Sequence, residues 1–199
     1  MRPTTGGPLN PKAINQLPGR WVYEPKVNGW RALIHVPTLT VYNRHGELMS
    51  ITHEFSEALD FLWENAPADM EWADCEMLSR RHAVDKGKII LLDEIISRPY
   101  WWRRGRMNQT WEVQKILPIQ MRPADSPDKS EPVWILPSVD DPYEAWVQLQ
   151  EANTIYGCDY YEGLVGKRLD SPYETQLVSA SRTTPHWIKY RFDQYKHDQ

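Results

Sequence analysis

A lysine stands just before a glycine in the segment from Glu24 to Arg31, which reads EPKVNGWR. Gly29 permits a turn and a close approach of a ligand to the backbone, so the amine of Lys26 would be held at the mouth of a strand. A neutral lysine in such a position can act as a nucleophile. Alone, the pattern K-x-[DN]-G is weak, because it occurs by chance in roughly one protein in ten of this length. A lone lysine is most often a solvated surface residue.

Charged side chains that share strand faces strengthen the case for a reactive lysine. Side chains alternate along a strand, so Asp74 and Glu76 are predicted to share one face and to converge. By the same rule Lys189 and Arg191 project together. Phosphoryl transfer from a nucleoside triphosphate needs this combination of a lysine, paired acids and paired cations, because its catalysis is mainly positioning and charge neutralisation. The alternative is that these are ordinary solvated charges on strand faces.

Further short segments follow the lysine in a fixed order. They are YNRHGE at 42–47, DCE at 74–76, LLD at 91–93, EGLVGK at 162–167 and WIKYR at 187–191. This order and spacing resembles the covalent nucleotidyltransferase superfamily, which comprises ATP-dependent DNA ligases, RNA ligases and mRNA capping enzymes. The stretch EGLVGKRLDSPY, from Glu162 to Tyr173, is most similar to DNA ligases, including the ligase domains of bacterial end-joining enzymes. The resemblance extends from about Trp21 to Phe192.

The resemblance implies a site in which Lys26 attacks the α-phosphorus of ATP, expels pyrophosphate and carries AMP as a phosphoramidate. It implies that Glu76 holds the ribose hydroxyls and that Glu162 binds the catalytic metal, with Glu76 as a second metal ligand. Mg²⁺ is the expected ion, because it prefers a few carboxylate oxygens together with phosphate and water.

The remaining roles are also implied by the resemblance. Arg31 and Arg44 would lie near the ribose and the phosphates, and Lys189 would contact the α-phosphate with Arg191 beside it. Glu24 would lie near the adenine edge. The full set of residues expected to bind the nucleotide is Glu24, Lys26, Arg31, Arg44, Glu76, Leu92, Glu162, Lys167, Lys189 and Arg191.

The sequence departs from the pattern of the superfamily at several positions. Asn28 replaces the acid of the usual KxDG motif, so the shape is kept and a charge is lost. Cys75 stands where glycine is common, and Arg191 replaces a usual lysine. Leu92 stands where an aromatic residue often stacks on the base, which would weaken adenine stacking unless another aromatic residue substitutes.

Three functions therefore remain open. The leading hypothesis is an ATP-dependent DNA ligase core that transfers AMP to a 5′-phosphate, with nicked duplex DNA or other polynucleotide ends as its partner. An RNA ligase or a capping-type guanylyltransferase would share every catalytic motif. The third possibility is a non-catalytic nucleotide-binding or DNA-binding module, for which the changes at Asn28 and Leu92 are the best support.

Composition limits how such a protein could bind nucleic acid. The formal net charge of −4 argues against binding through bulk electrostatics, so any DNA footprint must be a local cluster. The candidate cluster consists of Arg98, Arg103, Arg104 and Arg106. Within it, the segment WWRRGR at 101–106 is read chiefly as packing at a helix start, with a grip on the DNA backbone as the less favoured alternative.

The cysteine and hydropathy patterns indicate the cellular setting. Cys75 and Cys158 do not make a disulfide framework or a CxxC zinc spacing, which favours a reducing compartment. No apolar run is long enough to span a bilayer, and the N-terminus lacks the apolar core of a signal peptide. We expect a cytoplasmic location and no membrane partner.

The pattern of elements predicts an α+β fold with mainly antiparallel sheets and flanking helices, and the resemblance implies the ligase-type nucleotidyltransferase (ATP-grasp-like) fold. Alternating residues predict a hairpin over 31–43, and helical periodicity predicts an amphipathic helix over 53–66. An N-cap, a first-turn proline and a closing glycine predict a helix from Pro142 to Tyr156. Further strands are predicted at 70–78, 88–96, 160–168 and 186–192, and a polar surface loop at 122–132.

At 199 residues, the chain has the length of one well-buried domain. Residues 1–20 are expected to be an irregular lead-in, and residues 21–199 the nucleotidyltransferase (adenylation) domain. Ligases of the superfamily usually continue into a β-barrel of OB type, but this chain ends at Gln199, soon after Arg191. We therefore expect no C-terminal OB domain. For efficient sealing, the domain would need either a separate OB-fold or DNA-binding partner or its own Trp-Arg segment at 101–106.

Overall fold

The computed structural model describes residues 6–8, 17–79, 85–113, 131–174 and 184–192. These residues form an α+β fold of two sheets with flanking helices, as predicted. The predicted polar loop at 122–132 lies almost entirely outside the described residues. The strands are β1 (Gly6–Pro8), β2 (Trp21–Val27), β3 (Trp30–His35), β4 (Thr40–Asn43), β5 (Trp72–Leu78), β6 (Lys88–Glu94), β7 (Val133–Ile135), β8 (Tyr161–Arg168) and β9 (Thr184–Arg191), and the helices are α1 (Ser56–Asn65), α2 (Tyr100–Thr110) and α3 (Pro142–Tyr156).

The first sheet has the strand order β1-β9-β8-β2. Strand β8 is antiparallel to both β2 and β9, whereas β1 is parallel to β9. Strand β1 lies within residues 1–20, which the sequence predicts to be irregular, so that expectation is wrong for Gly6–Pro8. The short strand forms because β9 would otherwise leave the main-chain groups of one edge unpaired.

The second sheet has the order β4-β3-β5-β6-β7. The predicted hairpin is confirmed: β3 and β4 are antiparallel and are joined by a 3₁₀ turn at Val36–Thr38, which contains Pro37. Strands β5 and β6 are also antiparallel, and only β7 joins its neighbour in parallel. Asn28 and Gly29 carry the chain from β2 in the first sheet to β3 in the second, so Lys26 and Arg31 lie in different sheets.

The two helices predicted from the sequence are confirmed. A 3₁₀ turn at Thr52–Phe55 leads into α1, whose apolar stripe is buried except for Trp63, which is 57% exposed. At about 100° of rotation per residue, Trp63 lies at the edge of the apolar stripe. Periodicity alone therefore predicted a wider buried face than the helix has. In α3, the Asp141 carboxylate accepts a hydrogen bond from the Tyr143 amide at 2.8 Å, and Gly157 ends the helix with φ 64°.

Two apolar cores hold the sheets and helices together. Residues of the second sheet pack against α1, with Met107 and Trp111 from α2 and the segment after it. Residues of the first sheet pack against α3 and against Leu78, Ile90 and Trp134 of the second sheet, with Leu136 from the segment after β7. None of the described helices is long and apolar enough to cross a membrane.

Candidate active site

A cleft of about 670 Å³ lies between the two sheets, and residues of β2, β3, β5, β6, β8 and β9 line it. Every residue that the sequence analysis assigned to nucleotide binding lines this cleft. These residues are spread along the chain from Glu24 to Arg191, and the arrangement of the two sheets brings them together. Their chemical roles remain predictions.

Lys26 is ion-paired with Glu162 across the β2–β8 strand pair. Its Nζ donates a hydrogen bond to the Oε2 atom of Glu162, and both side chains are partly buried. The guanidinium of Arg191 approaches the same carboxylate oxygen at 3.6 Å. The cleft wall therefore holds a lysine amine and a carboxylate in direct contact, with a second cation beside them.

A β-bulge at Glu162 and Gly163 explains how Glu162 reaches the cleft. Lys26 pairs with Gly163 and Val27 pairs with Tyr161, so Glu162 is the extra residue of β8. In a regular strand Glu162 and Lys167 would face opposite sides, yet both line the cleft. Gly163 has φ 141°, and a Cβ atom there would lie 2.0 Å from the Tyr190 carbonyl oxygen. The bulge therefore requires glycine.

The predicted cationic face of β9 is confirmed. Trp187, Lys189 and Arg191 all line the cleft, while Ile188 and Tyr190 lie in the apolar core. Burial, together with the nearby positive charges of Arg31, Lys26 and Arg191, lowers the pKa of Lys189 to about 8. The cleft therefore concentrates positive charge where an anionic ligand would reduce the repulsion.

The two acids of β5 do not converge on the cleft as expected. Glu76 lines the cleft, and its burial raises its pKa to about 7 against the opposing effect of Arg31 and Lys26. Asp74 instead is fully buried and accepts hydrogen bonds from Arg31 Nε at 2.7 Å and from the Tyr173 hydroxyl at 2.6 Å. The expectation that both acids serve the cleft is wrong, because Asp74 is used to anchor Arg31.

Arg31 and Arg44 occupy different depths of the cleft. Arg31 is mostly buried, and its guanidinium lies 5.5 Å from the centre of the Trp187 ring. Arg44 is exposed in the turn after β4, where its Nε donates to His45 Nε2 at 3.0 Å. The Asn43 side chain shapes this turn by accepting hydrogen bonds from the amides of His45 and Glu47.

Glu24 and Lys167 form an ion pair in the floor of the cleft. Lys167 Nζ lies 2.8 Å from Glu24 Oε2, and it donates to the Leu92 carbonyl oxygen at 2.7 Å. Glu24 also accepts from the Tyr100 hydroxyl and from Arg104 Nη1, the latter at 3.3 Å. Both members of the pair are almost fully buried. Glu24, expected at the adenine edge, is therefore already surrounded by donors.

Three of the four arginines expected to form a DNA footprint, Arg103, Arg104 and Arg106, are paired with carboxylates of the protein instead. For these three, the interpretation of segment 101–106 as packing is confirmed. Arg103 is fully buried against Asp93, with Nε–Oδ1 and Nη2–Oδ2 distances of 2.7 and 3.0 Å. Arg104 pairs with Glu24, and Arg106 pairs with Asp69 and Glu94. The helical spacing of Arg103 and Arg104 with Tyr100 and Met107, which are also buried, was the signal in the sequence that these two arginines face inward.

Sequence reasoning missed the contribution of α2 to the cleft floor. Tyr100 and Arg104 support Glu24, and the Tyr100 ring lies 4.9 Å below the Lys167 ammonium group. Leu92 is the extra residue of β6 at a register shift between β5 and β6, and it lines the cleft. Among the described residues, no group of three or more His, Cys, Asp or Glu side chains could hold a metal ion by itself.

Comparison with solved structures relates this arrangement to known proteins. The ligase domain of M. tuberculosis LigD superposes with a TM-score of 0.61 at 17% identity, over 96% of this chain and 59% of that one. The fold is that of a DNA ligase adenylation domain. A mycobacterial DNA ligase D complexed with ATP and MES gives a TM-score of 0.62 at 16% identity, over 96% of this chain and 60% of that one.

A viral enzyme shares the same fold over a larger part of its length. The Chlorella virus DNA ligase-adenylate gives a TM-score of 0.58 at 16% identity, over 100% of this chain and 77% of that one. In contrast, the present chain spans about 60% of the length of the two mycobacterial ligase structures. No protein-family model matches the sequence, and no curated protein is significantly similar to it.

Proposed function

We propose that this adenylation-type domain is an ATP-dependent nucleotidyltransferase that forms a lysyl-AMP intermediate on Lys26 and passes AMP to the 5′-phosphate of a DNA strand. The contact between Lys26 and Glu162, in a cleft that also presents Lys189 and Arg191, carries the proposal. The ligase fold supports the choice of DNA as the acceptor.

The chemistry of the first step follows from these groups. Lys26 Nζ attacks the α-phosphorus of ATP, so that an N–P bond forms and the bond to the pyrophosphate oxygen breaks. Lys26 reacts as a neutral amine, so the ammonium that pairs with Glu162 first loses one proton, and the amine releases a second proton to water as the N–P bond forms. Lys189 and Arg191 lie on the same face of β9 and stabilise the charge that develops on the phosphate oxygens.

Glu76 and Glu162 suit a magnesium ion, because both offer carboxylate oxygens to the same cleft and Mg²⁺ completes its shell with phosphate and water. Such an ion would neutralise the phosphates of the incoming ATP. Glu76 reaches this position because Gly29 has no side chain: a Cβ atom there would lie 2.7 Å from Glu76 Cγ.

Covalent labelling tests the first step. The purified chain is incubated with α-labelled ATP or α-labelled GTP and Mg²⁺, and then separated by denaturing electrophoresis. We expect an acid-labile label from ATP that is lost in both Lys26→Ala and Lys26→Arg, because a guanidinium stays protonated. Lys86→Ala is the control, since Lys86 is an exposed lysine in a turn outside the cleft. Labelling that survives in the Lys26 variants would refute the assignment, and labelling from GTP alone would identify a capping-type enzyme.

Sealing of a nicked duplex tests the later steps. A substrate that already carries AMP on its 5′-phosphate bypasses Lys26, so Lys26→Ala should seal it while failing on the unmodified nick with ATP. We expect slow sealing that falls steeply with salt, because the DNA contacts are electrostatic. Labelled protein that never transfers AMP to DNA or RNA would mean that the acceptor is not a polynucleotide.

A further inference from the structure

A surface at the start of α2 lies outside the cleft lining and combines aromatic rings with exposed arginines. Trp101 is 58% exposed. Trp102 is partly buried between two guanidinium groups, those of Arg98 at 5.6 Å and Arg106 at 5.7 Å from its ring centre. With Arg20, these residues form what we call the Trp101 surface, whose members are Arg20, Arg98, Trp101 and Trp102.

Main-chain hydrogen bonds hold this surface in a defined shape. The Trp101 amide donates to the Leu169 carbonyl at 3.0 Å, and the Leu169 amide donates to the Arg20 carbonyl at 2.9 Å. Beneath them, the Ser171 carbonyl accepts from the Tyr100 amide at 2.9 Å and from Arg103 Nη1 at 3.1 Å. The first turn of α2 is therefore fixed to the segment after β8, and Arg20 lies on the adjoining segment.

The charges of this surface differ from those of the arginines around it. Arg103, Arg104 and Arg106 are each ion-paired with a carboxylate. In the part of the chain that the structure describes, neither Arg20 nor Arg98 has a carboxylate within ion-pairing distance, and both are exposed. In a chain with net charge −4, two such cations beside an exposed indole make a local site for an anionic partner.

A second exposed tryptophan shows that exposure alone does not make such a site. Trp63 on α1 is 57% exposed, almost the same as Trp101. Its helix neighbours include the acids Asp60 and Glu64, which would repel phosphate. The two tryptophans are therefore a matched pair that differ in their electrostatic surroundings.

We propose that the Trp101 surface binds unpaired nucleotides of a nucleic-acid strand, with a base stacked on the Trp101 indole and phosphates beside Arg98 and Arg20. Bases inside a duplex are already stacked on each other, so an indole on a protein surface stacks most readily on an unpaired base. The inference rests on the proposed function in that the partner is a polynucleotide, but binding here does not require Lys26 to react.

Fluorescence anisotropy of the full chain with three labelled DNA probes tests the proposal: a single strand, a blunt duplex, and a duplex with a single-stranded overhang. Trp101→Ala should weaken binding to the single strand and the overhang by roughly 5- to 150-fold, the range for loss of one base–aromatic stack. Trp101→Phe should retain most of the affinity, and Trp63→Ala should match the unmodified protein. Arg98→Gln should reduce the salt dependence by the equivalent of about one phosphate contact.

Several results would overturn the proposal. Equal losses in Trp101→Ala and Trp63→Ala would show that the local charges are irrelevant. Tighter binding of the blunt duplex than of the single strand, unaffected by Trp101→Ala, would show that stacking plays no part. An unaltered affinity of Trp101→Ala for all three probes would leave the exposed indole to a protein partner. Labelling with ATP separates this proposal from the proposed function, because Trp101 lies outside the cleft lining and Trp101→Ala should label like the unmodified protein even where it binds the single strand more weakly.

Discussion

The ion pair between Asp93 and Arg103 is predicted to hold α2 against β6 beneath the cleft. Both side chains are fully buried. The guanidinium makes two hydrogen bonds to the Asp93 carboxylate, of 2.7 and 3.0 Å, and a third of 3.1 Å to the Ser171 carbonyl oxygen. Asp93→Asn keeps the size of the side chain but leaves the Arg103 cation buried without a counter-ion.

The expected loss of stability is large for a single substitution. Removal of one partner of a buried ion pair costs about 3–5 kcal/mol, because the other charge stays desolvated. The total free energy of unfolding of a domain is about 5–15 kcal/mol, so Asp93→Asn should remove a substantial fraction of it. In a chain of this length such a loss corresponds to a fall in the thermal midpoint of roughly 6–20 °C. Lys167 Nζ, which lies 4.0 Å from Asp93 Oδ2, loses a second negative neighbour.

Urea unfolding followed by tryptophan fluorescence measures the effect. Asp69→Asn is the control, because Asp69 pairs with Arg106 at the surface and its loss should leave the urea midpoint almost unchanged. Asp93→Asn combined with Arg103→Met removes both charges and should be more stable than Asp93→Asn alone. A midpoint for Asp93→Asn equal to that of Asp69→Asn, or a double variant no better than the single one, would refute the reasoning.

Two further predictions concern the cleft. Gly163→Ala should lower both the thermal midpoint and the labelling rate, because its Cβ would lie 2.0 Å from the Tyr190 carbonyl oxygen. Gly105→Ala is the control: its Cβ would meet open space, so it should stabilise α2 by about 0.5–1 kcal/mol. Equal effects of the two substitutions would argue against the bulge. Burial and neighbouring positive charges lower the pKa of Lys189 from 10.5 to about 8. The unfolded chain therefore binds more protons than the folded one between these values, and the contribution of Lys189 to stability rises with pH across that window. The free energy of unfolding of the unmodified protein minus that of Lys189→Met should therefore increase from pH 8 to pH 10 in urea unfolding. A value that stays constant or falls would contradict this prediction.

Local patterns determined several elements of the fold. The caps of α3 are readable because Asp141 and Gly157 act on main-chain groups within a few residues. The cationic face of β9 is readable because alternation along a strand needs no knowledge of its partner. The order of short segments around Lys26 also indicated which side chains meet in one cleft, and their shared lining of that cleft agrees with it.

Other features depend on contacts between distant parts of the chain. Glu162 enters the cleft only because β8 carries an extra residue relative to β2, and a strand read alone shows no register. Asp74 alternates correctly with Glu76 but is withdrawn from the cleft by Arg31 and Tyr173, which are remote in sequence.

By itself, the sequence determined the hairpin of β3 and β4, the strands β5, β6, β8 and β9, and the helices α1 and α3, since these follow from local hydrogen bonding and from periodicity. The order of its short segments also indicated the side chains that gather around Lys26. Strands β1 and β7 were not predicted. Only the tertiary structure decided which carboxylate each basic side chain meets. Arg103 and Arg98 are close in the same basic segment, yet one is buried against Asp93 and the other is exposed. The physical reason is that an arginine can be buried only where a carboxylate offsets its desolvation, and the position of that carboxylate is set by how the strands and helices pack.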